Sequence, residues 1–474
     1  MEKISDNFEN LGKYSKFLLL NKDYKFISTV RRKSKSNTEK FKPRILRILC
    51  QKPYFTGSGI NFVNLTRKAK QEKIDQFLIF GHSAGEDIPL TDLVNSDYIS
   101  PIVFQNPKHP EMNSEVSFPV AGMSDKMPYQ STTFSSFNFD MLEEYLAIFA
   151  NKIEGAITEF KPNIIHTHHL WLVTALARVL NPKIPIITTC HNTALRQMVL
   201  ASQFQPFVLE PIHNVDLIAI NNQDQCERVK KVYQFNRKVK NQYKFLNIGQ
   251  GINTEVFHPP KVPQRKINKK AIDLVKRIIY AGKLSFSKGV LQLIEAFKRV
   301  SETLEGNYEL YIIGSGVGEE KNKIIESAKG SKNKIYFLGQ ITQSELAQKF
   351  RESDLFILPS FYDGFPKVML EALACGCKVI ITEIPGVKEN MQNLNGSSKN
   401  LRFIPLPRMK TIDQPFEENI PTFTSKLKSE MINILSDAEI NKKDIIFSEK
   451  VRTEFGSDAL FKKYLKKYRE LIKT

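Results

Sequence analysis

The sequence predicts an α/β protein of two doubly wound domains facing a cleft, and three observations carry that expectation. Apolar runs of strand length alternate with segments of helical periodicity. The alternation resets once, near residue 276. The 474 residues also suffice for two domains of ordinary size. No self-similar period of roughly 20–50 residues suggests a solenoid.

Composition narrows the class. Hydrophobic residues make up 41% and charged residues 25% of the chain, the balance of a soluble globular protein. The cysteines (Cys50, Cys190, Cys226, Cys375 and Cys377) are odd in number and scattered, which suits a reducing, cytoplasmic setting rather than a disulfide framework. Cys375-Gly-Cys377 has no second Cys pair or His partner nearby in sequence, so packing thiols outweigh half a metal site. No run approaches the roughly 18 apolar residues needed to span a bilayer, and Met1-Glu-Lys-Ile-Ser-Asp6 lacks the basic-then-apolar order of a signal peptide.

The formal net charge is +19, from 69 basic and 50 acidic residues. A field of that sign favours anionic partners. The first fifty residues hold 13 basic against 5 acidic side chains. Simple solubilisation stands level with attraction to an anionic membrane surface at the inner face. Nucleic acid is not expected, since no basic–aromatic binding module is recognisable.

Residues 1–42 read as a basic, polar extension with the cluster Arg31-Arg32-Lys33-Ser-Lys35. A first domain is expected over 43–258. Its opening strand is Arg44–Cys50, followed by Gly57-Ser58-Gly59 and a helical pattern through Phe62, Leu65 and Ala69. Strand, glycine loop and helix open many nucleotide-binding α/β domains; an ordinary tight turn is the plainer reading of the glycines alone. Residues 82–138, rich in Pro, Ser, Asn and Phe, read as cleft-lining loops. Met141, Tyr145, Phe149, Ile153 and Ile157 then recur every four residues, an amphipathic helix.

The strand Asn163–His169 follows, then a helix through Val173, Ala177 and Leu180, then the strand Pro185–Thr189. A strand sends alternate residues to opposite faces. His166 and His168 therefore share a face and His169 does not, so structural or cleft-lining roles outweigh a metal site. His191 stands at a strand's carboxyl end, where open α/β sheets bind ligands. Arg196 lies about one helical turn further on.

A linker is expected over 260–275, within a second domain spanning 259–457. Its strand Arg277–Gly282 leads to Lys283, Lys288 and a helix with Val290, Ile294, Phe297 and Val300 on one face. Two lysines between strand end and helix start suit a diphosphate, although lone lysines are usually surface groups. The strand from Tyr308 enters a turn with Gly314, Gly316 and Gly318. That spacing is G-x-G-x-G, not the dinucleotide fingerprint G-x-G-x-x-G, which weakens an oxidoreductase reading.

Asp354–Leu358 reads as a buried strand, Gly364 as a break, and Pro366 as a first helical residue. The backbone N–H groups around Phe365, Lys367 and Val368 would then offer an anion site. Asp363 and Glu371 flank seven residues, and the whole arrangement suits a phosphorylated sugar. Lys378–Gly386 is a further strand and loop, and residues 391–425 read as an irregular connector. The last helix, 458–473, carries an apolar side and a basic side. Packing back onto the first domain is preferred there to lying on a membrane.

The string Tyr362-Asp-Gly-Phe-Pro…Leu370-Glu-Ala-Leu-Ala-Cys-Gly376 resembles retaining nucleotide-sugar glycosyltransferases of the glycogen-synthase-like family 4. The resemblance covers roughly residues 44–474 and is densest from 277 to 390. It implies the GT-B fold, two Rossmann-like domains, and transfer of a sugar from a nucleotide-diphospho-sugar to a glycan, lipid-linked or small-molecule acceptor. The implied catalytic set is His191, Asp363 and Glu371. His191-Asn-Thr stands in for the family's His-Gly-Thr-like motif, and Asp363 for its more usual Glu. Donor contacts are implied for Lys283, where the family has Arg, and for Lys288, Gly314, Gly316, Leu338, Gly364, Phe365, Lys367, Val368 and Glu371. Gly57, Ser58, Gly59 and Arg196 would approach acceptor or phosphate. No metal and no other cofactor is implied as required. A GT-B epimerase, a sugar phosphorylase and a non-catalytic sugar-binding protein are the competing readings.

Overall fold

The computed structural model describes residues 42–124, 127–235, 244–249, 251–260, 275–363, 365–391, 394, 399–411, 413–437 and 444–473. The extension 1–41, most of the predicted linker and Gly364 lie outside the described residues. The chain forms two compact units, Met1–Gly249 with Leu460–Thr474, and Gln250–Ala459. The division falls between Gly249 and Gln250 rather than at 258/259, because Ile252 and Phe257 are buried in the second unit's core.

The first unit holds a seven-stranded sheet in the order β3-β2-β1-β6-β7-β8-β9. The strands are β1 Arg44–Leu49, β2 Asp75–Ser83, β3 Ile99–Phe104, β6 Ile164–His168, β7 Ile186–Thr189, β8 Leu217–Ile220 and β9 Phe245–Asn247. The two-residue strands β4 Ala121–Gly122 and β5 Thr132–Thr133 pair separately. All neighbours in the large sheet run parallel. Apolar side chains cover both faces, as parallel sheets require. Leu46 and Ile48 enter one core with the helix Phe139–Phe160. Ile45, Ile164 and Ile187 enter another, with Leu460, Phe461, Tyr464, Leu465 and Tyr468 of the terminal helix Ser457–Ile472. The apolar side of that helix therefore packs on this unit.

The second unit holds a six-stranded parallel sheet in the order β12-β11-β10-β13-β14-β15. Its strands are β10 Lys276–Ala281, β11 Tyr308–Ile313, β12 Lys334–Gly339, β13 Leu355–Leu358, β14 Lys378–Thr382 and β15 Leu401–Ile404. In each sheet the strand order reverses once, between β1 and β6 and between β10 and β13. Parallel doubly wound sheets bind ligands outside the carboxyl ends of the strands at that reversal.

Several expectations are corrected. Gly57-Ser58-Gly59 is not a loop but the first turn of the helix Gly57–Gln71, capped by Thr56, whose hydroxyl accepts from the Gly59 amide at 3.1 Å. A Cβ on Gly59 would sit 2.8 Å from the Lys52 carbonyl oxygen, so the glycine serves close approach rather than a turn. The 82–138 region contains β3, an edge strand that tolerates Pro101. The 391–425 connector contains β15 and the start of the helix Ile420–Leu435. Pro366 is the N-cap, not the first residue, of the helix Lys367–Ala374.

Candidate active site

The second unit brings Lys288 and Asp363 together at the β10/β13 reversal, with the glycine turn after β11 alongside. The loop after β10 ends in a single turn, Phe286–Lys288, and Gly289 follows with φ +65°. The Phe361 amide donates to the Ser287 carbonyl at 2.9 Å, tying the post-β10 and post-β13 loops together. That seam places the Lys288 ammonium 2.9 Å from the Tyr362 carbonyl and 2.8 Å from Asp363 Oδ2. Both side chains of this ion pair remain about a fifth to a quarter accessible (21% and 26%), so the pair is open to a ligand. Lys283 is exposed in the same loop. Tyr280, buried beneath, donates its hydroxyl to the Lys283 carbonyl at 2.8 Å.

The glycine turn after β11 lies against this loop. The Leu284 amide donates to the Ser315 carbonyl at 2.9 Å. A Cβ on Gly314 or Gly316 would collide with the carbonyl of Gly282 or Leu284. The Gly314 amide donates to the Gly339 carbonyl at 2.7 Å, joining the turn to the end of β12. There Leu338 is the extra residue of a bulge, with Ile312 opposite Phe337 and Ile313 opposite Gly339; it is exposed.

Past β13, Phe365 is buried, and Lys367 and Val368 open the helix half-exposed. Glu371 is buried on that helix, 3.7 Å from the Lys367 ammonium. Burial pushes its carboxyl above the usual carboxylate range, and Lys367 partly opposes the shift. A buried acid with one loose partner is a candidate for accepting ligand hydroxyls.

The first unit assembles a second cluster at the β1/β6 reversal. Ser58 donates to Gln51 Oε1 at 2.8 Å, and His169 Nε2 lies 3.2 Å from the same oxygen. His169, with φ +72° just past β6, packs its ring 4.7 Å from that of His191. The glycine-bearing helix start and His191 are thus brought to one place. Arg196 is exposed further along the helix Asn192–Leu200. His191 is half-buried at the carboxyl end of β7, and burial lowers its imidazole to about 4.

Sequence reasoning missed Lys52, which is buried and paired with Glu86, with Phe55 and Tyr129 rings 4.8 and 5.4 Å from its ammonium. A lysine three residues past the end of β1 carries no sequence signal that separates it from surface lysines. His168 is fully enclosed beside His191. Among the described residues, no group of three or more His, Cys, Asp or Glu is arranged to hold a metal ion.

Two parallel sheets of this strand order, each with its cluster at the order reversal, define a GT-B architecture. Solved structures agree: a sucrose-phosphate synthase from Thermosynechococcus elongatus superposes with TM-score 0.60 at 16% identity, covering 90% of this chain and 99% of that one. An Anabaena protein solved with UDP and glucose gives TM-score 0.56 at 15% identity, covering 90% and 99%. A family described as glycosyl transferases group 1 matches residues 264–398, and one described as glycosyltransferase family 4 matches residues 123–240.

Relatives include an uncharacterized glycosyltransferase of Methanocaldococcus jannaschii, 31% identical over 31% of this chain and 39% of its own length. The N-acetyl-alpha-D-glucosaminyl L-malate synthase of Bacillus anthracis is 21% identical over 60% and 74%. A glycogen synthase of Mycobacterium tuberculosis is 23% identical over 50% and 56%. The chain belongs to the group 1, family 4 glycosyltransferases.

Proposed function

We propose that the chain transfers a glycosyl group from a nucleotide-diphospho-sugar to an acceptor with retention of anomeric configuration. The observation that carries this reading is the accessible Lys288–Asp363 pair at the β10/β13 reversal, one helix start away from buried Glu371. Lys288, Lys283 and the backbone N–H groups of Phe365, Lys367 and Val368 hold the diphosphate; Pro366 contributes none. These donors stabilise the negative charge that grows on the leaving diphosphate, so the chemistry requires no metal. Lys283 acts as a point charge where an arginine would form a fork.

Glu371 accepts from the ribose hydroxyls, which compensates the cost of burying its charge. Asp363 accepts from a hydroxyl of the transferred sugar, and Gly314, Gly316 and Leu338 lie toward the base and ribose. His191 contacts the sugar as oxocarbenium character develops. Gly57, Ser58, Gly59 and Arg196 face the acceptor. Uridine nucleotides are the first donors to test, because the Anabaena protein was solved with UDP. Among the described residues no helix is long and apolar enough to cross a membrane, and a glycan or lipid-linked acceptor at an anionic surface fits the charge of +19.

Glu371→Ala tests the site. It removes the ribose acceptor, and kcat/KM for the nucleotide sugar falls by at least about tenfold, or ~1.4 kcal/mol. NMR of the first-formed product shows the donor's anomeric configuration. Wild-type turnover in the variant, or an inverted product, would sink this assignment.

A further inference from the structure

Behind His191 stand two more imidazoles in a column. The ring of His168 stacks on His191 with centroids 5.5 Å apart and planes 14° from parallel, and on His166 at 5.1 Å and 9°. His166 is fixed from three sides. Its Nδ1 lies 3.0 Å from an Arg47 guanidinium nitrogen and 2.5 Å from the Tyr468 hydroxyl, and its Nε2 lies 2.8 Å from Thr189 Oγ1. Arginine only donates, so Nδ1 of His166 is the bare acceptor and Nε2–H faces the threonine.

Among the described residues the His168 side chain makes one hydrogen bond, from ring to ring: its Nδ1 lies 3.2 Å from His191 Nε2. Its Nε2 is buried with no partner among the described residues. One of the two bridging nitrogens must carry the proton and the other must be bare. If His191 donated, His168 would hold its N–H on the buried, unpartnered side, and orphaned buried N–H groups are rare. If His168 donates through Nδ1–H, the bare nitrogen takes that place. His191 then accepts at Nε2 and carries its proton on Nδ1, which has no hydrogen-bond partner among the described residues. Desolvation holds all three imidazoles below the ordinary histidine range, so each is neutral near pH 7 and carries a single ring proton.

We propose that His168 is a positioning residue that donates from Nδ1 to His191 and locks His191 as the Nδ1–H tautomer, presenting a hydrogen-bond donor to a sugar or phosphate oxygen. This rests on the reading of His191 as a donor-sugar contact, but its test does not depend on turnover. In the full chain labelled with 15N-histidine, the His191 ring nitrogens are assigned by their loss in His191→Ala and followed at pH 7.5. Wild type shows a single form protonated on Nδ1. His168→Asn, whose amide nitrogen falls about where Nδ1 was, keeps that form. His168→Leu, which cannot donate, loses it to a mixture containing Nε2–H.

Turnover is read as nucleoside diphosphate release from UDP-, ADP- and GDP-sugars. There kcat falls about tenfold in His168→Leu at unchanged KM, and His168→Asn recovers most of it. An Nε2–H form of His191 in wild type overturns the proposal. So does an unchanged His191 tautomer in His168→Leu. Should His168→Leu fail to fold, wild type and His168→Asn still decide it. A correct tautomer with no dependence of turnover on His191 would instead count against the functional role of His191.

Discussion

Gly289 shows how much of the donor site rests on single atoms. Its φ of +65° is left-handed, and a Cβ there would collide with the Pro359 carbonyl oxygen on the facing loop. Gly289→Ala therefore strains the backbone and separates the two loops that bring Lys288 to Asp363. The expected loss is about 1–3 kcal/mol in the second unit, measured by urea denaturation, together with weaker nucleoside diphosphate binding. Unchanged stability would show that the seam is not a close contact. The lysine spacing and the two acids were legible in the sequence at this scale. The Lys288–Asp363 ion pair was not, because it depends on a seam between loops some seventy residues apart.

Among the elements, β6 and β7 do the most to define the first unit's cluster. They deliver His166, His168, His169 and His191 to one enclosed corner, where desolvation holds every imidazole below its ordinary value. The unfolded chain takes up protons as pH falls below about 6.5, while the folded chain does not. Stability is therefore fully present above about pH 6.5 and is lost as pH falls toward the folded value, about 4 for His191. Each histidine contributes up to about 1.4 kcal/mol per pH unit in that window. Denaturation at pH 7.5 and 5 should show a clear drop, shallower in His168→Leu. A flat profile would mean that the imidazoles are hydrated.

Alternation of side chains along the strand foretold that His166 and His168 share a face, but not that His169, past the strand end with φ +72°, would join them beside His191. It could not foretell that His168 would meet His191, since two separate strands set that contact. The glycines at 57–59 misled for a related reason. A glycine-rich stretch suggests a turn, whereas here Thr56 caps the helix and Gly59 admits the Lys52 carbonyl. The strand β3 escaped notice because Pro101 and weak alternation look like loop unless its edge position is known.

For the whole molecule, the reset of the strand–helix alternation sufficed to foresee two doubly wound units, and the apolar stripe of the last helix foresaw its packing on the first. The division point at 249/250 was not legible, because the contacts of Ile252 and Phe257 with the second core are tertiary. The proposed donor site requires the second unit to bind a nucleoside diphosphate through Lys288 and Glu371. Thermal unfolding of the full chain with UDP, ADP, GDP and their sugars reads this binding. A matching nucleotide at 100 times its Kd should add about 2.7 kcal/mol and raise the transition of this unit by several degrees. Lys288→Ala combined with Glu371→Ala should abolish the rise. A panel in which no nucleotide stabilises the chain, or one that stabilises the double variant equally, would rule out this donor site.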